Sequence, residues 1–334
     1  MTRYLRSPSS VADPKRPSNN LFRAIALRLL AGALSLLFIS LVTFVAGEMA
    51  PGDAATQRAG EKATLEQVAA LRHQMGLDRP WPVRYVEFVS KASRLDFGES
   101  YYGTQEPVNT ILLRALPMTL RLAMYSIILA TLVGVSFGTL AGVFRDSWID
   151  RVVLTLSTLG VTTPNFVLAP VLVFIFAVQM NQLPTTWEVH LKAPEFYYLI
   201  LPVIVLSART TATITRLTRA SMIDTLGMEF IRLAVAKGVP PVRVVLFHGL
   251  RNAILPVLTT IGTSFGFLLT GSFVVETVFI MPGLGHAAIN AIVQKDSPVI
   301  LATTLVAGAL FVLVNLIVDL ILPIVDPRIR ESQV

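Results

Sequence analysis

Residues 229–256, EFIRLAVAKGVPPVRVVLFHGLRNAILP, decide how the rest of the chain is read. The first half has helical spacing, with Ile231, Ala234 and Val235 near one side. Gly238 stands where a helix stop needs a left-handed residue. Pro240 and Pro241 forbid continuation and preset the backbone for a new helix. That second helix presents Val244, Val245, Leu246 and Phe247 before the chain turns continuously apolar near Ile254. The expected product is a bent helical elbow, apolar on one side and basic on the other, with no core of its own. Such a face wants a partner groove; lying on anionic lipid headgroups is the alternative.

The elbow is flanked by segments of membrane length. A bilayer core needs roughly 20 mostly apolar residues per helix, and residues 25–47, 116–143, 152–178, 253–279 and 299–323 supply them. Residues 198–222 carry the apolar LILPVIVLSA but continue as RTTATITRLTRASM. A half that polar is tolerated only against other helices, a cavity or the membrane interface. The prediction is an all-α integral membrane protein with six spans. Composition agrees: of 334 residues 53% are hydrophobic and 15% charged, with a mean hydropathy of +0.65, against about 25% charged in soluble domains. With no cysteine, disulfides, Cys-ligated zinc and thiol nucleophiles are excluded. His73, His190 and His248 fall on separate loops, so no metal cluster is expected.

The net charge of +7 reads as membrane orientation rather than nucleic-acid binding. Arg3, Arg6, Lys15, Arg16, Arg23 and Arg28 precede the first span or open it, and Arg145 and Arg151 bracket the turn after the second. Arg216, Arg219, Arg232, Lys237, Arg243 and Arg251 lie between the fourth and fifth, and Arg328 and Arg330 close the chain. The short loops on the other side carry only Lys192 and Lys295. The bias puts both termini in the cytoplasm. It divides the chain into a basic tail (1–24, with 7–20 disordered), an uncleaved anchor (25–47), an extracytoplasmic insertion (48–113), a five-span core (114–326) with a cytoplasmic loop (223–252), and a cytoplasmic tail (327–334).

In the insertion, Thr64-Leu-Glu-Gln67 is a capping box opening a helix with Leu65, Val68, Leu71 and Met75 near one face, and Gly76 follows as its stop. The turn through Pro80 and Pro82 leads to a second amphipathic stretch with Tyr85, Phe88 and Val89. A small lid or docking surface fits; a tether is the alternative. Within the spans, Gly134, Gly138 and Gly142 repeat every four residues, as do Gly262 and Gly266, which lets helices approach closely. Pro164 and Pro202 are expected to bend their helices. Arg209, Glu276 and Asp319, with Arg121, lie near membrane depth, where a charge is costly and therefore a functional candidate. Arg209, Glu276 and Asp319 are the candidates to line a solute path, Arg209 near the bilayer middle. The structural alternatives are a pair such as Arg209 with Asp319, or Glu276 at the outer mouth.

Taken together the motifs resemble one family. The 229–256 loop and the RLTRASMIDTLGMEFIRLAVAKG around its start are similar to the coupling loop of binding-protein-dependent ABC importer permeases, in the dipeptide, oligopeptide and nickel group. GLDRPW (76–81), DFGES (96–100), VVETVFIMPGLG (274–285) and DPRIR (326–330) resemble that group's first permease subunit. The resemblance implies a type I importer permease fold in the plasma (inner) membrane. It also implies a second permease subunit, two ATP-binding subunits and an extracytoplasmic solute-binding protein as partners. By position, Glu229, Arg232, Ala234, Ala236, Lys237, Gly238, His248 and Arg251 would contact the ATP-binding subunit. Arg232 stands where the general motif is acidic. No cofactor is expected on this chain, and no G-x-x-x-x-G-K-[ST] phosphate cradle occurs in it, so ATP would be bound by partners. No bond chemistry is implied. Two rivals remain: an ion-coupled secondary transporter using Asp319 or Glu276, and an intramembrane serine hydrolase suggested by the G-x-S-x-G spacing of Gly262, Ser264 and Gly266.

Overall fold

The computed structural model describes residues 18–49, 54–60, 63–102, 105–188 and 194–325. The expectations for Arg3, Arg6, Lys15, Arg16, residues 7–17, His190, Lys192, Arg328, Arg330 and the 327–334 tail lie outside the described residues. The described chain is helical, and its one β feature is an isolated bridge between Glu99 and Pro107. In order come α1 (Ser18–Met49), α2 (Ala54–Ala59), α3 (Leu65–Gln74), α4 (Trp81–Ala92) and α5 (Val108–Val143). They are followed by α6 (Trp148–Thr162), α7 (Asn165–Leu172, extended by a π-helical turn to Gln179), α8 (Glu195–Leu226) and α9 (Glu229–Ala236). The last four are α10 (Pro241–Arg243, extended by a π-helical turn to Leu250), α11 (Arg251–Val278), α12 (Leu284–Gln294) and α13 (Ser297–Val325).

The glycine repeat of α5 faces α8. A Cβ on Gly134 would stand 2.8 Å from the Ile214 side chain, one on Gly138 2.6 Å from the Thr215 carbonyl, and one on Gly142 2.6 Å from Met222. Both partner lists run in the same direction, so α5 and α8 are parallel and in close backbone contact. α11 and α13 meet in the same way but antiparallel, with Gly262 against Val318 and Gly266 against Phe311. α1 lies on the outside of α13, where Gly32 meets Val312 and Gly308 meets Leu36.

The expected span 152–178 is a broken element: α6 and α7 meet at 110°. Pro164 has no N–H to continue α6, and its φ of −65° starts α7 instead. The break is a correction to a simple bend. Pro202, by contrast, sits inside a continuous α8. The broken pair still crosses. At its start Asp150 bonds Arg219, while the segment that follows it sets Trp187 edge-on to Tyr198, ring centroids 5.9 Å apart. Those two α8 positions are separated by roughly 30 Å of helix. There are thus six crossings among the described residues, and Ser18, Val325 and the α9–α10 elbow share one face.

On the opposite face the insertion folds against the core, so a loose tether is overturned. The capping box forms, with Gln67 N–H on Thr64 Oγ1 at 3.3 Å and the Gln67 side chain accepting from Thr64 N–H at 3.0 Å. Of the expected apolar face of α3, Val68, Leu71 and Met75 are half-buried and Leu65 is exposed. α4 docks instead: Tyr85 donates to the Leu37 carbonyl at 3.1 Å and packs edge-on to Phe44, and Arg84 pairs with Glu48. Phe88 and Phe97 join Val108, Leu112, Leu284 and Val299 in one cluster. Asp296, buried at the α12–α13 junction, accepts from Ser100 and from Tyr101 N–H.

Replacing Gly138 by alanine forces its methyl into the Thr215 carbonyl, an overpacking cost of about 1–3 kcal/mol. Gly47→Ala, whose methyl meets nothing within 4 Å, is expected to be neutral. Thermal unfolding of the two variants in detergent, followed by tryptophan fluorescence, should show a lowered midpoint only for Gly138→Ala.

Candidate functional site

The elbow is built by two breaks. Gly238 takes φ +77° at the end of α9, and Pro240 carries the chain extended into α10. The residues between form a small core of their own: Ile231, Ala234 and Val244 pack with Leu226 and Val239. The expectation of an elbow without a core is therefore wrong, because a bend this tight folds both arms onto each other. Ala234 and Val244 point inward, whereas Val235 points out. Outward and unpaired among the described residues stand Glu229, Arg232, Lys237 and Arg251, with Ala236 and Gly238 exposed beside them. Phe230, Leu233, Val242, Leu246 and Phe247 are also exposed, Phe247 at 66%. His248 is half-buried, and its carbonyl accepts from Asn252 at 2.7 Å. Below it Gly249 lets the second arm lie on α8, since a Cβ there would stand 3.2 Å from the Leu226 side chain.

Arg209 lies midway along α8 in a cavity of about 630 Å³ between the start of α7, α8 and α11. Its lining includes Asn165, Thr213, Thr260, Thr263 and Ser264. No described carboxylate pairs with Arg209. Asp319 pairs with Arg28 of α1 at 2.9 Å, so the suggested Arg209–Asp319 pair is overturned; α1 packing on α13 brings Arg28 there. Glu276 is fully buried rather than set at an open mouth. Its Oε2 accepts from the Gly285 N–H at 2.7 Å and the His286 N–H at 3.3 Å, and Thr119 Oγ1 of α5 accepts from Leu284 N–H at 2.9 Å. Together they satisfy the first turn of α12, whose positive end suits a carboxylate. Gly283 is required here, since any Cβ would collide with Glu276. Arg121 pairs with Glu195 at 2.9 Å.

Sequence reading missed the bond that joins the broken span to α8. Asp150 is buried and takes Arg219 Nε at 2.5 Å and Nη2 at 2.7 Å, as well as the Asp146 N–H at 2.9 Å. A signal existed: Ser147-x-x-Asp150 is a helix-start pattern, and Ser147 does cap α6. In the insertion, burial lifts the Tyr101 phenol above its usual range, and its ring helps line a second cavity of about 690 Å³ with Arg58, Arg79 and Arg84. Ser264 lies within uninterrupted α11, with no strand-to-helix turn, and His286 bonds Asn290 at 2.9 Å.

Residues 134–331 match the family described as binding-protein-dependent transport system inner membrane component, and residues 21–123 match its N-terminal region. The chain belongs to this family. The probable peptide ABC transporter permease protein y4tP of Sinorhizobium fredii is 38% identical over 92% of this chain and 98% of its own. The glutathione transport system permease protein GsiC is 40% identical in Salmonella choleraesuis and 39% in Escherichia coli K12, over 91% of this chain and 97% of theirs. A chain from a crystal structure of an amino acid ABC transporter with histidines superposes with a TM-score of 0.49 and 19% identity, over 66% of this chain and 94% of that one. Family membership makes the chain a multi-pass inner-membrane permease subunit of an ABC transporter and not an enzyme. The serine-hydrolase and ion-coupled readings fall with it.

Glu276→Ala removes the acceptor of two α12 N–H groups and is expected to cost about 1.5–3 kcal/mol for bonds to a charged group. Amide exchange at Gly285 and His286 should accelerate, and Glu276→Gln, which keeps an acceptor, should fall between. Asp150→Ala should likewise lower the unfolding midpoint, and Arg219→Ala in the same background should add little because the pair is one interaction.

Proposed function

We propose that this permease forms half of a translocation pathway that imports di- or oligopeptides, or a related small solute such as glutathione, by alternating access. It pairs with a second permease subunit and receives its solute from an extracytoplasmic binding protein facing the insertion. Two ATP-binding subunits drive it from the cytoplasm, where both termini lie. The observation that carries this reading is the elbow: a braced protrusion whose exposed face mixes Phe230, Leu233, Leu246 and Phe247 with Arg232, Lys237 and Arg251. Such a face suits a complementary protein groove. The chain encodes no phosphate cradle of its own, so the energy must arrive through contact. A partner that closes on ATP need favour one membrane conformation by a few kcal/mol to shift its population decisively. The internal cluster makes the elbow stiff enough to transmit that push to α8 and α11, which continue from its two ends.

Phe247→Asp places a charge at an exposed site, so folding should be retained. Purified in mild detergent, this variant should keep the second permease and lose the ATP-binding subunits; Gly238→Trp, at a left-handed position, should do the same. In vesicles the complete assembly should take up a labelled dipeptide only with ATP and the binding protein. Uptake that survives ATP depletion and collapses with the ion gradient would overturn the reading.

A further inference from the structure

Arg209 is a cation at membrane depth that no described carboxylate pairs with, and the chemistry of the wall facing it narrows what answers it. The cavity holds no other charged residue among its lining. Four of the threonine hydroxyls around it are already committed as donors. Thr213 donates to the Arg209 carbonyl at 3.0 Å, Thr260 to Pro256 at 3.4 Å, Thr263 to Thr259 at 3.2 Å, and Thr270 to Phe267 at 3.1 Å. A hydroxyl has one hydrogen to give and two lone pairs to offer. Having spent the hydrogen on its own helix, each of these threonines faces the cavity as an acceptor. The charged donor of the cavity is the Arg209 guanidinium on α8, and the acceptor oxygens of Thr260, Thr263 and Thr270 line α11 opposite, with the Asn165 amide and the Ser264 hydroxyl as neutral groups beside them.

We infer that this cavity is a transient solute site in which Arg209 takes a carboxylate while the threonine oxygens of α11 accept from the solute's N–H groups. The inference rests on reading the chain as half of a translocation pathway. A planar guanidinium matches a carboxylate with two parallel bonds, and peptides carry both a terminal carboxylate and N–H donors. A neutral sugar offers no anion to Arg209 and spends hydroxyl donors as readily as acceptors. The volume, about 630 Å³, lies within the range of small-molecule sites. The first turn of α7, opening beside Asn165, adds a weak positive potential of the same sign. The site therefore selects by charge and by the count of N–H groups rather than by side chain, as suits a passage used after selection elsewhere.

The absence of cysteine permits a direct test. Ser264→Cys, in the assembled transporter in vesicles, is labelled with an anionic methanethiosulfonate (ethylsulfonate) and a cationic one (ethyltrimethylammonium), and the rates are compared with those on a free small thiol. The anionic reagent is expected to gain several-fold over the cationic one. Adding Arg209→Gln should abolish that gain, and Arg209→Lys should keep part of it. Glycylglycine should slow the labelling, and glycylglycinamide should not. Equal charge preference with and without Arg209, or equal protection by the two dipeptides, would overturn the carboxylate site, as would a partner-subunit carboxylate that already neutralises Arg209. ATP-dependent uptake measured on the same vesicles keeps that failure distinct: its loss in the otherwise unmodified assembly would remove the pathway reading itself.

Discussion

The close approach of α5 and α8 governs the molecule. Three glycines bring the two backbones together along the halves nearer the elbow, and because the helices are parallel the connection between them must cross the membrane in the opposite direction. That crossing is made by the broken α6–α7 pair, tied at its start by Asp150 to Arg219 of α8. Dispersion and shape, not hydrophobic burial, hold such helices together in lipid. Small residues at a four-residue interval are what allow it, and the polar half of α8 can lie at depth only because α5, α6 and α11 enclose most of it.

The same enclosure sorts the charges. Glu276 is spent on the start of α12, Asp319 on Arg28, Arg121 on Glu195 and Asp150 on Arg219. Each satisfies a local demand of the fold, as a costly buried or half-buried charge must. Arg209 alone among these membrane-depth charges faces a cavity instead of an answering group. The solute site proposed here rests on that missing partner rather than on the charge alone.

The coupling proposed above requires stiffness at the other end. An elbow lying loosely on headgroups would absorb a push, whereas Ile231, Ala234 and Val244 lock its arms and Gly249 seats it on α8. In the coupling we propose, a partner supplies the push, and this packing would carry it to the helices that line the cavity.

The apolar runs, the glycine interval, the capping box and the proline pair were legible in sequence because each is local: lipid demands about 20 apolar residues, and a left-handed turn demands glycine at Gly238, wherever the rest of the chain lies. The membrane class, the six crossings and the place of the elbow follow from them. What tertiary structure alone decided were the relations between distant segments. Asp319 could have met Arg209 or Arg28 on composition; α1 packing on α13 chose Arg28. Glu276 reads as an exposed mouth residue until α12 folds its first turn onto it. Pro164 reads as a bend until α7 turns through 110°. A charge's partner and a kink's size are set by which helices become neighbours, and one-dimensional order constrains that only weakly.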